Sequence, residues 1–275
     1  MEKYLVCIDL DSTFLKEDKS ISDYSKKYIK EFVDKGHYLI INTGRPHQGA
    51  IQFLKELNIH QPMIVNNGSA IVEYDNKYEK VISYKTFGLN IKLVKKFYKQ
   101  VRKYIKTVAV TSLFDFYSND ISSCPFFIIH PSEQIKFHEG EINKILTTEP
   151  LRTEYFVRGE YIKKFEKILN KRKYKKAFDY INWGSWDNIY SYEIFAKDGT
   201  KGQAMEFLAK KLNISHVNTF AFGDQLNDLS MIEYAYDGVA ILNARNEVKE
   251  RANHITKKDN NNDGVVSYLD ELNLL

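Results

Sequence analysis

The chain has 275 residues, of which 43% are hydrophobic and 28% are charged, and its formal net charge is +4. This length is typical of about two domains, and no segment reaches the roughly 18 consecutive apolar residues of a membrane-spanning helix. The N-terminus lacks the longer apolar region of a signal peptide. Two separated cysteines, Cys7 and Cys124, exclude a disulfide scaffold and a cysteine-based zinc site, and they favour a cytoplasmic location.

The first part of the chain alternates short apolar segments with amphipathic ones. Residues 4–9, 38–42 and 63–66 predict buried strands, and helices are expected after Ser22, which can cap one, and after Pro46. This alternation indicates an α/β domain with a parallel sheet.

The middle of the chain breaks this alternation. Two basic helices are predicted near residues 90–104 and 160–172, with β-prone segments such as 126–129 and 189–192. Beyond about residue 195, helices are predicted over 200–212, 226–234 and 246–252, and strands over 217–222 and 239–242.

The charge follows the same division. Residues 83–190 contain 20 Lys and Arg against 11 Asp and Glu, whereas the rest of the chain contains 20 and 25. We therefore predict a discontinuous α/β core at 1–82 and 191–275, interrupted by a basic α+β domain at 83–190.

Several common motifs are absent from the sequence. The 13 glycines never form Gly-x-Gly, and neither a phosphate-binding Gly-x-x-x-x-Gly-Lys loop nor His-Glu-x-x-His nor Gly-x-Ser-x-Gly occurs. Their absence argues against a dinucleotide enzyme, a P-loop enzyme, a zinc hydrolase and a serine hydrolase.

An acid pair follows the first predicted strand. In extended chain, Asp9 and Asp11 would point to the same side. Two unit charges about 4 Å apart repel by roughly 4 kcal/mol at an effective dielectric of 20, so either a cation lies between them or one acid stays protonated, and Mg²⁺ suits such hard oxygen ligands. An isolated pair of this kind could equally be a solvated acidic turn.

A second acid pair follows a later strand. Asp224 and Asp228 are four residues apart, so they would lie on one face of a helix that begins there. Alone, they could be a helix cap with a second acid near the helix N-terminus. Two acid pairs at strand ends, where open α/β sheets bind ligands, favour a metal site.

Two further segments suit a phosphate group. Thr43-Gly44-Arg45 follows the second strand, where a hydroxyl and free N–H groups could hold phosphate oxygens, although a plain capped turn fits as well. Lys201 opens a predicted helix, where its charge opposes the helix dipole, so an anion or a carboxylate is expected nearby. It could otherwise be an ordinary surface lysine.

These four segments, in this order, resemble the haloacid dehalogenase superfamily, and most closely the Cof-type phosphatases. The resemblance extends over nearly the whole chain and includes Asn66-Asn67-Gly68, Glu193-Ile194 and Asp263-Gly264-Val265. It implies a Rossmann-like core and identifies residues 83–190 as a cap domain. Where Ser12 stands, the family usually has glycine, which would matter if that position required a positive φ.

The resemblance also implies roles for individual residues. Asp9 would be the nucleophile, Asp11 the acid and base, and Lys201 a third catalytic residue. The residues expected to hold phosphate are Thr43, Gly44, Lys201 and Asn227. The residues expected to hold Mg²⁺ are Asp9, Asp11 (through its backbone carbonyl), Asp224 and Asp228.

The implied function is Mg²⁺-dependent hydrolysis of small phosphorylated metabolites, with sugar-phosphate-like substrates favoured, through an aspartyl-phosphate intermediate. The same resemblance leaves open a phosphotransferase or mutase. A non-catalytic protein that binds a phosphorylated ligand or a nucleic acid is a further alternative, suggested by the basic middle domain. Association with a membrane is not expected.

Two other features have alternative explanations. Residues 259–264 match the first half of a calcium-binding EF-hand loop, although position 12 is Asp270 rather than Glu. Trp183 and Trp186 are expected to pack in a core or a hairpin rather than to form a platform for a sugar.

Overall fold

The structure is a computed structural model, and it describes residues 2–125 and 135–275. The β-prone segment predicted at 126–129 lies outside these residues. The chain forms two compact units. Unit 1 comprises Met1–Lys85 and Thr200–Leu275, and unit 2 comprises Thr86–Gly199.

The elements of the described residues are given in chain order. The strands are β1 (Leu5–Ile8), β2 (Tyr38–Ile41), β3 (Met63–Val65), β4 (Ala70–Tyr74), β5 (Val81–Thr86), β6 (Ile105–Thr111), β7 (Asp115–Ser118), β8 (Lys136–Glu139), β9 (Arg152–Arg158), β10 (Phe178–Trp186), β11 (Ile189–Ala196), β12 (Thr219–Gly223), β13 (Asp237–Ala240) and β14 (His254–Ile255). The helices are α1 (Asp23–Asp34), α2 (His47–Leu57), α3 (Ile91–Val101), α4 (Ile142–Ile145), α5 (Ile162–Leu169), α6 (Arg172–Lys175), α7 (Lys201–Lys211), α8 (Leu229–Tyr234), α9 (Asn246–Lys249) and α10 (Gly264–Glu271).

Unit 1 is built on a parallel sheet with the strand order β14-β13-β12-β1-β2. β1 lies between β12 and β2, and every one of its residues is buried, as expected for an apolar strand that is covered on both faces. A small sheet, β3-β4-β5, in which β3 and β4 are antiparallel, continues beyond the bridge between Asn42 and Ile64. The loops at the carboxyl ends of β1, β2 and β12 therefore gather at one sheet edge.

Unit 2 is built on a six-stranded sheet with the order β10-β11-β9-β6-β7-β8, which is antiparallel except for the β7–β8 pair. Helices α3 and α5 cover one face of it. There, Phe97 and Phe165 from the helices pack edge to face with each other and against Tyr155 and Tyr192 of the sheet. Phe116 and Phe156 lie on the other face of the sheet.

This architecture confirms the predicted fold class, an α/β parallel core interrupted by an α+β segment. The predicted limit at 190/191 falls inside β11, which pairs with β9 along nearly its whole length, so the compact unit continues to Gly199. β12 begins two residues later than predicted, and β13 begins two residues earlier. Val217 belongs to a 3-10 turn, and the side chains of both Val217 and Leu242 are exposed.

No helix among the described residues is both long enough and apolar enough to cross a membrane.

Candidate active site

Three carboxylates meet at the carboxyl edge of the parallel sheet in unit 1. Asp9 directly follows β1, Asp224 directly follows β12, and Asp228 ends the short 3-10 turn after it. One oxygen from each lies within 4.8 Å of the others, and all three residues are buried. The structure thus brings together residues from the two acid pairs that are more than 200 positions apart in the sequence.

Lys201 lies within this group of acids. It is the first residue of α7, and its side chain is fully buried. Its Nζ donates hydrogen bonds to Asp9 Oδ1 at 2.6 Å and to Asp228 Oδ1 at 2.5 Å. The position of Lys201 at a helix start predicted a nearby anion or carboxylate, and two carboxylates are present.

The start of α7 is held in place by a loop from another part of unit 1. Gly68 has φ +97°, and a Cβ at this position would lie 2.1 Å from the carbonyl carbon of Thr200. Only glycine allows such an approach. Asn42, at the end of β2, adds a hydrogen bond of 3.2 Å from Nδ2 to the carbonyl of Lys201.

Short hydrogen bonds also fix the two later acids. Asp228 Oδ2 accepts hydrogen bonds from the backbone N–H groups of Asp224 and Gln225, each at 2.9 Å. Thr13 Oγ1 donates to Asp224 Oδ1 at 2.9 Å. The carboxylates are thus oriented by neighbours before any ligand binds.

The charges of the cluster do not balance. Burial raises the pKa of Asp9 to about 8, with a further contribution from Asp228 and an opposing one from Lys201. Burial and Asp228 raise the pKa of Asp224 to about 6. Burial opposes the charge of Lys201, but Asp228 and Asp9 together raise its pKa. Three acids share one ammonium group, so the cluster has room for a further cation.

The donor set fits a divalent metal ion. Three carboxylates supply the hard oxygen ligands that Mg²⁺ prefers. The buried side-chain oxygen of Asn227, which lies one residue before Asp228, accepts no hydrogen bond from the described residues. An orphaned buried oxygen beside three acids indicates that a ligand is accommodated there.

Asp11 does not join the carboxylate cluster. Arg45 donates to both of its oxygens, from Nε at 2.8 Å and from Nη2 at 2.7 Å, and Lys19 Nζ donates at 2.8 Å. These hydrogen bonds outweigh the effect of burial and lower the pKa of Asp11 to about 2. The sequence argument assumed regular extended chain, but the chain turns over residues 10–14, where Ser12 is left-handed and the Leu15 N–H donates to the Leu10 carbonyl, so the two-residue alternation does not apply.

Ser12 takes the conformation that glycine would adopt without strain. Its φ is +61° and its ψ is +6°, in the left-handed region. The position therefore does favour glycine, and serine occupies it at a conformational cost of roughly 1–2 kcal/mol.

Besides Lys201, the predicted phosphate-binding residues Thr43, Gly44 and Asn227 lie on two loops that Asn67 connects. Thr43 is buried and its backbone N–H donates to Ile64. A Cβ on Gly44 would lie 2.8 Å from Asn67 Oδ1, and that same oxygen accepts a hydrogen bond of 2.7 Å from Asn227 Nδ2. The loops after β2, β3 and β12 thus converge near the acids.

Sequence reasoning assigned no role to four residues of this site, namely Thr13, Lys19, Arg45 and Asn67. Arg45 and Asn67 belong to segments that the sequence singled out, and a cation two residues after a strand-end hydroxyl was a usable signal for Arg45. Lys19 gave no signal. It reaches Asp11 because it lies on a tight turn with φ +67°, closed by the Lys19 N–H donating to the Lys16 carbonyl.

The segment that resembles half an EF-hand makes structural contacts. Asp259 accepts from the backbone N–H of Asn262, Asp263 accepts from the hydroxyls of Ser22 and Ser25, and Asn260 donates to the carbonyl of Leu15. These bonds join the start of α10 to the start of α1 and to the turn after β1. They support a structural role for the segment rather than a calcium site.

Comparisons with known proteins agree with this geometry. The sequence profile of the haloacid dehalogenase-like hydrolases matches residues 6–269. The protein YcsE of Bacillus subtilis strain 168, named a 5-amino-6-(5-phospho-D-ribitylamino)uracil phosphatase, is 30% identical over 266 residues, which cover 96% of this chain and 94% of YcsE. YitU of the same strain has the same enzyme name and is 27% identical over 274 residues, covering 98% and 97% of the two chains.

A solved structure shows the same fold. The crystal structure of a haloacid dehalogenase-like hydrolase from Bacteroides thetaiotaomicron superimposes with a TM-score of 0.76 at 22% identity, covering 98% of this chain and all of the other. Because the family profile spans nearly the whole chain, this protein belongs to the haloacid dehalogenase-like hydrolases and is a phosphatase of the Cof type, as its sequence predicted.

Proposed function

We propose that this phosphatase hydrolyses small-molecule phosphate monoesters, with Asp9 as the nucleophile. The observation that carries the proposal is the position of Asp9, whose carboxylate is buried and held at 2.6 Å from the ammonium group of Lys201. A carboxylate nucleophile divides a very slow hydrolysis into two easier steps.

In the first step, an Asp9 oxygen forms a bond to phosphorus while the bond from phosphorus to the ester oxygen breaks. Asp11 gives the leaving oxygen its proton. In the second step, Asp11 takes a proton from water, the water oxygen bonds to phosphorus, and the aspartyl-phosphate bond breaks to regenerate Asp9. Lys201, with Thr43, Gly44 and Asn227, would hold the negative phosphoryl oxygens.

The arrangement of Asp11 matches the second step. Arg45 and Lys19 keep its carboxylate ionised, which is the form that acts as a base. For the first step the carboxyl group must be protonated, so it has to leave these two cations.

A divalent ion, with Mg²⁺ proposed, would be held by the carboxylates of Asp9, Asp224 and Asp228 and by the backbone carbonyl of Asp11. When bound, it supplies positive charge that offsets the charge on the transferring phosphoryl group. Asp224 is kept in place for this by Thr13, and Asp228 by the backbone N–H groups after β12.

The proposed substrates are phosphorylated metabolites of the sugar or polyol type. Two relatives are named for an ester whose phosphate is carried on a ribityl chain. The net positive charge of residues 83–190 would attract such anions. A cytoplasmic location remains a prediction from the cysteine content.

The test measures phosphate release from a panel of sugar, polyol and nucleoside monophosphates, with Mg²⁺ and with a chelator. We expect release that requires the divalent ion. Asp9→Asn should lower turnover by at least about 10⁴-fold, the scale seen when a catalytic nucleophile is removed, while the fold is kept. The matched control is Asp34→Asn, an exposed acid paired with Lys30, which should keep full activity.

Full activity in Asp9→Asn would contradict the nucleophile assignment. Transfer of phosphate to an added alcohol in preference to water would instead identify a phosphotransferase that uses the same residue.

A further inference from the structure

We propose that the helices of unit 2 form a docking surface for double-stranded nucleic acid, which is bound through its phosphate backbone without sequence preference. The surface comprises residues 90–103, which include α3, and residues 161–177, which include α5 and α6. It is called the basic helix layer below. It lies wholly in unit 2, whereas the proposed phosphatase residues lie in unit 1, so this is a second binding activity of the same chain.

The basic helix layer carries almost only positive charge. Residues 90–103 contain six Lys and Arg and no acid, and residues 161–177 contain eight Lys and Arg and one acid, Glu166. Glu166 is partly buried and accepts a hydrogen bond of 2.7 Å from the hydroxyl of Tyr192. All of these cations are exposed except Lys95, which is partly buried. The positive excess of residues 83–190 is therefore located on the helices, because the rest of that segment is acidic overall.

The three helices pack against one another, so their charged sides form one surface. Phe97 of α3 packs edge to face against Phe165 of α5, with ring centroids 5.5 Å apart, and against Tyr174 of α6 at 4.9 Å. These rings belong to the core between the helices and the sheet. Lys171 Nζ also donates a hydrogen bond of 3.1 Å to Gln100 Oε1, which joins the segment before α6 to α3.

The spacing of the lysines along α3 places them on one side of the helix. Lys92, Lys96 and Lys99 follow one another at intervals of four and three residues, which is the spacing of one helix face. The buried residues of α3 are Val94, Phe97, Tyr98 and Val101. Each interval spans about 4.5–6 Å along the helix axis, whereas a duplex carries one phosphate charge in about 1.7 Å of its axis. Every lysine of the row can therefore meet a phosphate.

These cations lack the acidic partners that helices of unit 1 provide. In α1 and α7, Lys30 and Lys210 each pair with an acid four residues away. Among the residues that the structure describes, only one cation of the basic helix layer forms an ion pair, Arg102 with Glu141 at 3.3 Å. Like charges three or four residues apart on a helix repel each other, so the arrangement is unfavourable unless an anionic partner binds.

The composition of the basic helix layer favours a nucleic acid over a protein or a membrane. All but two of its cations are lysines, which are depleted in protein–protein interfaces but bind phosphates as point charges. Its large apolar side chains are buried or partly buried, whereas a helix on a membrane surface inserts exposed Trp, Phe or Leu. Its aromatic rings are likewise buried or partly buried, which disfavours a single strand, whose bases stack on exposed rings.

The two tryptophans of unit 2 lie outside this layer, on β10. Trp186 is 74% exposed, so the sequence expectation that it packs in a core or a hairpin is wrong. Trp183 is tied to β11 by a hydrogen bond of 2.9 Å from its Nε1–H to Glu193 Oε2. Contacts between the basic helix layer and a partner are therefore made by charge.

The test measures binding of the full-length protein to a fluorescently labelled DNA duplex by anisotropy, without Mg²⁺ and between about 50 and 200 mM salt. We expect saturable binding at the lower salt concentration and a linear fall of the logarithm of the binding constant with the logarithm of salt concentration. A duplex of unrelated sequence should bind within a few fold, because phosphates carry no sequence information.

The test variant combines Lys92→Gln, Lys96→Gln and Lys99→Gln, and glutamine keeps the helix propensity of lysine. Each lost phosphate contact lowers the salt slope by about 0.9, so the slope should fall by about 2–3. Binding at the lower salt concentration should weaken by at least about 10-fold. Circular dichroism checks that the variant is folded.

The matched control combines Lys27→Gln, Lys210→Gln and Lys257→Gln. These three lysines of unit 1 are exposed and paired with acids, and the control changes the net charge by the same amount. It should keep the affinity and the salt slope of the unaltered protein. If the α3 variant does not fold, Lys163→Gln with Lys167→Gln tests the same surface from α5, where both lysines are exposed.

Two results would overturn the proposal at once: no saturable binding of a duplex by the unaltered protein, or an equal loss of salt slope in the α3 variant and the control. Flotation with vesicles that contain phosphatidylserine tests the membrane alternative. Binding to these vesicles without binding to a duplex would assign the basic helix layer to a membrane surface and would also overturn the proposal. None of these measurements requires phosphate release, so their outcome is independent of the proposed phosphatase mechanism.

Discussion

Each unit of this protein buries one cation among carboxylates, and the two clusters differ in charge balance. In unit 1, Lys201 contacts Asp9 and Asp228, and Asp224 adds a third acid to the same group. One positive charge therefore faces three acids, and burial, with a smaller contribution from the charge of Asp228, raises the pKa values of Asp9 and Asp224.

In unit 2, Arg152 and Glu193 form a buried pair whose charges cancel. Glu154 lies directly opposite Glu193 across β9 and β11, and burial, followed by the charge of Glu193, raises its pKa to about 7. This second acid can be neutral near physiological pH, so the cluster needs no extra cation.

The difference separates a reactive cluster from a supporting one. Buried ion pairs occur in both units, and by themselves they show little about function. An excess of buried charge of one sign does indicate function, because burying it is unfavourable unless a ligand of opposite charge binds there. The balanced cluster of unit 2 instead holds the indole of Trp183 in place.

The largest expected effect comes from removing the buried lysine. Lys201→Met leaves three buried acids without their cation, so we expect the free energy of unfolding to fall by about 3–5 kcal/mol. In Arg152→Met the free energy of unfolding should fall by less, because Glu193 keeps the hydrogen bond from Trp183. Urea denaturation followed by circular dichroism measures both. The control is Lys211→Met, a half-exposed lysine paired with Glu73, and an equal effect of Lys201→Met and this control would contradict the comparison.

The next effect concerns the acid of unit 2 whose pKa is raised. In the folded state Glu154 holds a proton up to a pKa of about 7, whereas a glutamate in the unfolded chain has its ordinary pKa of 4.5, so the folded state binds more protons between these values. Stability therefore falls as pH rises through this interval, by up to about 3 kcal/mol. Glu154→Gln should remove that part of the pH dependence. Glu160→Gln, an exposed acid of the same unit, should not, and an unchanged profile in Glu154→Gln would refute the assignment.

Metal addition tests the excess charge directly. At about 100 times its Kd, a bound ion raises the free energy of unfolding by roughly 2.7 kcal/mol. We expect Mg²⁺ to stabilise the unaltered protein in thermal melts and a chelator to reverse this. Asp224→Asn should reduce the shift, whereas Glu193→Gln in the balanced cluster should keep it. Equal shifts in both variants would show that the ion does not bind at the unit 1 acids.

The smallest effect concerns the backbone of the unit 1 turn. Ser12 has φ +61°, so Ser12→Gly should relieve local strain and, after the entropy cost of glycine, stabilise by about 0.5–1 kcal/mol. Ser83→Gly, in the exposed strand β5, should instead destabilise the protein, because glycine weakens strands. Melting temperatures of the two variants should move in opposite directions.

The sequence predicted much of the unit 1 site. Apolar segments that end in Asp9, Thr43 or Asp224 located the strand ends, and parallel strands bring such ends to one edge. The position of Lys201 at a helix start indicated nearby carboxylates, and the structure contains them. These inferences worked because each rests on a local pattern joined to one general rule of sheet topology.

Other features were decided only by the tertiary structure. The pairing of Asp11 with Arg45 and Lys19 depends on an irregular turn at residues 10–14 where regular extended chain was expected. The register of β10 against β11 changes at a single bulge between Asn182 and Gly184. Local sequence fixes which segments are helices and strands, since propensity and periodicity act over a few residues. Which side chains then meet is set by turns and register shifts of one residue, whose free energies depend on contacts made by residues far away along the chain.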